Sequence, residues 1–228
     1  MMRADQLLAT LREEESRYQE AFRGALTSQS GYAMDNAQQT KEKRDKIVAE
    51  LAKELGQIGD SSAVVPLLKA VYWLPYWAPE WRTAKHKPTD AAIFDAILKL
   101  GTADPQRLLR PLREARSLHL SDESQCALLE AVAEVGDPLF VDSLINYMND
   151  RKFASRALEG LRRIFDRNTE ELTTEQLRRF TLLRRVVQDE YDPSNSSEFI
   201  VMKQKKVDSA GLVKAAESEL SRRSGTIL

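Results

Sequence analysis

Leu55-Gly56-Gln57-Ile58-Gly59-Asp60-Ser61-Ser62-Ala63-Val64-Val65-Pro66-Leu67-Leu68 is the stretch on which the fold turns. Leu51, Leu55 and Ile58 close an apolar stripe that begins at Ile47 and Val48, with steps of one, three and four, which predicts an amphipathic helix. Gly59 then permits a left-handed turn, and Asp60 can accept backbone N–H bonds at the start of the next helix. The apolar pattern restarts at Val64, Leu67 and Leu68.

The same offsets return twice. Val135-Gly136-Asp137 precedes Val141, Leu144 and Ile145, and Ala103-Asp104 precedes Leu108, Pro111 and Leu112. Pro105 and Pro138 follow two of these aspartates, where a helix start tolerates the missing N–H. Asp60, Asp104 and Asp137 are 44 and 33 residues apart, the spacing of stacked helix pairs.

Outward from these junctions the chain reads as helices joined by short turns. Leu7, Leu8, Leu11, Tyr18, Phe22 and Leu26 predict a long first helix, and Ser28–Gly31 a break. Phe153, Ala157, Leu158, Leu161 and Ile164 predict a helix of a fourth pair. Thr173-Thr174-Glu175-Gln176 resembles a capping box opening a helix through Leu177, Phe180, Leu183 and Val187. Residues 192–197 form a polar break, followed by a short segment from Phe199 to Lys206 and a last helix from Ser209 to Arg223.

The unit Leu55–Leu68 resembles a HEAT repeat, nearest to the short prokaryotic form called the phycobilisome-lyase HEAT-like repeat. Ala131–Ile145 is a second such unit, and Leu100–Leu112 a third that lacks the glycine before aspartate. The resemblance covers residues 41–165 and implies an all-α fold. That fold would be a right-handed α-α superhelix of about four helix pairs with extra N- and C-terminal helices. The expected organisation is an N-terminal helical cap over 1–40, repeats over 41–190 and a polar linker with a C-terminal helix over 191–228. In HEAT-like arrays the second helix of each pair lines the concave surface. Such arrays serve as scaffolds, adaptors, lyase subunits and DNA-binding proteins, so the resemblance specifies no activity.

Composition narrows the function. In 228 residues, 34 Lys and Arg balance 35 Asp and Glu, which excludes a chain-wide basic field for nucleic acid. One cysteine excludes an intramolecular disulfide and a cysteine-cage zinc site. Cys126, in step with Leu129, Val132 and Ala133, reads as a small buried hydrophobe. With only His86 and His119, and no HExxH, phosphate-binding glycine loop, GxSxG or CxxC, no catalytic set, metal site or cofactor is expected. The first residues lack a signal-peptide core and the most apolar stretch, 63–79, is interrupted by Lys69, Pro66 and Pro75. The expectation is a cytoplasmic protein without a membrane span.

Two features can carry binding. An aromatic insertion at 72–88 holds all three tryptophans, Trp73, Trp77 and Trp81, with Tyr72, Tyr76 and Arg82, and explains the longer first interval. Its rings either pack into the repeats or meet a partner, as insertions in repeat proteins gather on one face. Arg107, Arg110, Arg113 and Arg116, at steps of three, form a slowly rotating stripe on a second helix. Residues 151–185 add ten basic residues against five acidic ones. The leading expectation is a non-enzymatic scaffold or adaptor for a protein partner through the concave face, the insertion and Arg107, Arg110 and Arg113. The alternatives are nucleic-acid binding, by analogy with DNA glycosylases of HEAT-like fold, and a bilin lyase or chaperone subunit implied by the repeat subtype.

Overall fold

A computed structural model describes residues 2–28, 31–71, 88–183, 186–191 and 202–225. The chain is predominantly helical. Helices α1 (Met2–Ser28) and α2 (Gly31–Ile58) lead into α3 (Val64–Lys69), α4 (Pro88–Ala103) and α5 (Gln106–Glu114). Then follow α6 (Asp122–Val135), α7 (Val141–Tyr147), α8 (Ala154–Asn168), α9 (Thr174–Thr181) and α10 (Ala210–Gly225).

The junctions form as their residue types dictate. Gly59 and Gly136 stand at φ +75° and +71°, a conformation that costs a side-chain-bearing residue about 1–2 kcal/mol. Asp60 Oδ1 accepts from the Ser62 N–H at 2.8 Å and Asp137 Oδ1 from the Leu139 N–H at 2.8 Å. Asp104, without the glycine, still accepts from the Gln106 N–H at 3.1 Å. Thr173 and Gln176 make the reciprocal capping box at the start of α9. His119, in the turn between α5 and α6, is the non-glycine residue with a positive φ among the described residues, 54°.

Packing sorts the helices into two layers. α2, α4, α6 and α8 contact one another in succession, and α1, α3, α5 and α7 form a second succession laid on the first. Leu67 and Leu68 of α3, Ile93, Ile97 and Leu100 of α4, and Leu108 and Leu112 of α5 are fully buried between the layers. Each contributes about 1.5–3 kcal/mol through its removal from water. α6 lies deepest, with Cys126, Ala127, Leu128, Leu129, Ala131 and Val132 all inaccessible. Cys126 is the buried hydrophobe expected, and burial pushes its thiol up to about 12, far from thiolate chemistry.

One expectation changes. The helix opened by Thr173 was expected to run through Val187, but α9 ends at Thr181 and Val186–Tyr191 forms a strand, β1. β1 pairs antiparallel with β2 (Met202–Val207), Val186 opposite Val207 and Tyr191 opposite Met202. The β-branched pair Val186-Val187 and the polar break that lets the chain return favour the hairpin over a longer helix. α2 runs unbroken for 28 residues across residues 40 and 41. Among the described residues no helix is long and apolar enough to cross a membrane.

Candidate interaction groove and the stem of the insertion

An open groove of about 1050 Å³ lies across the second layer, between α1, α3 and α5. Leu11, Arg12, Glu15 and Ser16 come from α1, and Ser61, Ser62, Val64, Val65, Pro66 and Lys69 from α3 and the short turn before it. Asp104, Gln106, Arg107, Arg110, Pro111 and Leu118 complete the wall. The groove follows from the capped junctions, which bring the three second-layer elements alongside one another over the buried layer.

The structure separates the arginine stripe by role. Arg107 Nη1 donates to the Gly59 carbonyl at 2.8 Å, and Arg107 Nε lies 3.5 Å from the Asp104 carboxylate. It therefore ties the first junction to the next unit while lining the groove. Arg110 also lines the groove, largely exposed, and pairs with Glu114 at 3.0 Å. Arg113 is exposed but stands outside the groove lining. Arg116 reaches Asp150 at 3.2 Å. Tyr72, Trp73, Tyr76, Trp77, Trp81 and Arg82 lie outside the described residues.

A buried polar node beneath the groove escaped the sequence reading. Arg44, on α2 and 1% exposed, donates from Nε to Glu15 Oε1 at 2.6 Å and from Nη1 to Asp45 Oδ1 at 2.7 Å. Its Nη2 donates to the Ala70 carbonyl at 2.5 Å and also approaches Glu15. The guanidinium carbon lies 5.6 Å from the centre of the Tyr18 ring, a cation–π distance. Lys41 Nζ pairs with Asp45 Oδ2 at 2.6 Å. A buried guanidinium is tolerated only when such partners surround it.

The node also binds the residues that flank the insertion. Ala70 is the last residue of the α3 turn, and Thr89, at the start of α4, donates its hydroxyl to the Asp45 carbonyl at 2.9 Å. The two stems of the 72–88 insertion thus meet one turn of α2 at Arg44-Asp45. The sequence carried a signal for this: Arg44 sits three residues after Lys41, four before Val48 and seven before Leu51, in phase with the apolar stripe.

Electrostatics differ across the node. Burial pushes the Glu15 carboxyl above its ordinary range, only partly offset by the charge and hydrogen bond of Arg44. Burial also presses upward on Asp45, but hydrogen bonds from Lys41 and Arg44 outweigh it and hold that carboxyl below its usual value. Glu15 is therefore both a groove residue and the partner of the stem-holding arginine.

Four arginines of the basic stretch 151–185 are engaged within the fold. Arg162 donates to the Asp208 carbonyl and Arg167 to the Glu134 carbonyl, each at 2.7 Å. Arg163 pairs with Glu134 and Glu159, and Arg179 with Asp142 at 2.6 Å. These arginines join α8 and α9 to neighbouring elements. Among the described residues no three His, Cys, Asp or Glu side chains gather as a metal-binding cluster. No protein-family model matches the chain, and neither a curated protein nor a solved structure shows significant similarity to it.

Proposed function

We propose that the chain is a short HEAT-like α-solenoid, its helix pairs wound in a right-handed superhelix, and that it acts as a non-enzymatic scaffold or adaptor. On this reading a cytoplasmic protein partner docks in the α1–α3–α5 groove, with the tryptophan insertion as a second contact. The observation that carries the reading is the groove itself, which runs over three successive second-layer elements and includes Arg107 and Arg110. Its apolar floor and polar rim match the anatomy of protein interfaces. Against the nucleic-acid reading stands the use of Arg162, Arg163, Arg167 and Arg179 as internal ties rather than as a phosphate track.

Affinity capture from native lysate tests the reading, with the unmodified chain and with Ser61→Trp, which fills the groove from an exposed position. The expected result is a defined protein that survives raised salt on the unmodified chain and is lost with the variant at unchanged melting temperature. Equal retention by both chains would remove the groove from the account. Retention of nucleic acid that washes off with salt would favour the alternative.

A further inference from the structure

We propose that the groove accepts an acidic segment of its partner, in which carboxylates flank apolar side chains. This rests on the interaction reading above and specifies the chemistry of the occupant. Arg12 on α1 and Lys69 on α3 stand on different walls, both exposed, and neither makes an ion pair among the described residues. Arg110 adds a third exposed cation from α5.

The two carboxylates of the groove are already engaged. Glu15 is bound by Arg44, and Asp104 accepts from the Gln106 N–H and faces Arg107. Arg12 and Lys69 are therefore the lining charges without an ion pair among the described residues, a cationic rim on a protein whose formal charge is -1.

The same lining includes Val65, Pro66 and Leu118, half-buried side chains that offer apolar surface beside the cations. Phosphate backbone needs a continuous cationic track, whereas an acidic segment with apolar anchors uses both parts of this groove. The chain's own insertion has the wrong sign to fill it, since Arg82, Lys85 and Lys87 outweigh Glu80 there. Complementary charge at the rim speeds encounter and rejects basic competitors.

Photo-crosslinking tests the occupant directly. The full chain carries p-benzoylphenylalanine in place of Gln106, an exposed groove position, and is irradiated in native lysate. The cross-linked peptides are then sequenced. The expected products are segments with more Asp and Glu than Lys and Arg around apolar residues. Their yield should fall about tenfold when Arg12→Glu and Lys69→Glu reverse the rim charge, and stay unchanged with Arg113→Glu outside the groove. Circular dichroism checks that each variant remains folded.

Neutral or basic peptides, or yields indifferent to rim reversal, would overturn the acidic assignment while leaving a protein-binding groove. Cross-links to nucleic acid would overturn the assignment and the interaction reading together. So would yields no higher than those from the same photo-probe at Lys214, an exposed position on α10 outside the groove.

Discussion

The α2–α3 and α6–α7 junctions share one local design but are tied to the rest of the molecule differently. Gly59 and Gly136 take the same left-handed turn, and Asp60 and Asp137 cap the following turn at the same 2.8 Å. Both units also cross the next first-layer helix through a glycine–alanine contact, with the roles exchanged. In the first, a Cβ added at Gly56 of α2 would lie 2.9 Å from the Ala96 Cα on α4. In the other, a Cβ on Gly160 of α8 would lie 3.5 Å from the Ala133 Cβ on α6 and 3.1 Å from Leu144 Cδ1.

The units part company after the short second-layer helix. Both ends close on their own backbone, Ala70 N–H donating to the Pro66 carbonyl and Met148 N–H to the Leu144 carbonyl, but the α3 end is also held by Arg44, which donates to the Ala70 carbonyl. In the first, the residues on either side of the 72–87 segment, Ala70 and Thr89, both bond to α2; the second runs through a short turn into α8. Both junctions share the same local capping, and a buried long-range cation is added at one of them.

The largest break in this comparison should come from Arg44→Ala. It would leave Glu15 and the Ala70 carbonyl without a buried partner and Asp45 with Lys41 alone, and should cost about 3–5 kcal/mol in denaturant unfolding. All three tryptophans lie in the insertion, so their emission reports on that segment alone and should change in the native variant. A loss below about 1 kcal/mol would mean that Arg44 does not hold the stem.

The helix crossings come next. Gly56→Ala drives a methyl into backbone and should cost about 1–3 kcal/mol. Gly160→Ala meets the end of the Leu144 side chain, which can shift, and should cost less. Reversed order would contradict the close α2–α4 approach.

At the turns, Gly59→Ala and Gly136→Ala should each cost about 1–2 kcal/mol. Gly136 is the more sensitive position because its new methyl would stand 3.2 Å from Arg167 Nη1, against 3.9 Å to Arg107 Nη1 at Gly59.

The smallest effects belong to the caps. Asp60→Ala and Asp137→Ala should each lose about 1 kcal/mol at neutral pH. The backbone and side chain of Ser62 hold the Asp60 carboxyl below its ordinary value. Its contribution is therefore present above the unfolded-chain pKa and is lost as pH falls through the lower native one. The gap between Asp60→Ala and the unmodified chain should close in acid, as urea titrations at several pH values would read.

These contrasts also mark what the sequence makes legible. Gly59-Asp60, Gly136-Asp137 and the Thr173 capping box act within a few residues, so their pattern is their mechanism. The partners of Arg44 are dispersed from Glu15 to Ala70, and spacing within α2 places Arg44 on the buried face without naming what waits there. The arginine stripe was visible as a period of three, but only the packing of α5 separates Arg107, bound to Gly59, from Arg113 outside the groove. The hairpin was missed because Leu177, Phe180 and Leu183 continue at helical spacing toward Val187, while the cross-strand pairing that overrides them lies beyond residue 201.

Hydrogen exchange on the full chain, alone and with the partner recovered from it, tests the central claim most directly. The account predicts added protection in 11–16, 61–69 and 106–118, the three walls of the groove, with α8 and α9 unchanged. Protection confined to α8, α9 and the hairpin, with the groove walls unaltered, would contradict it.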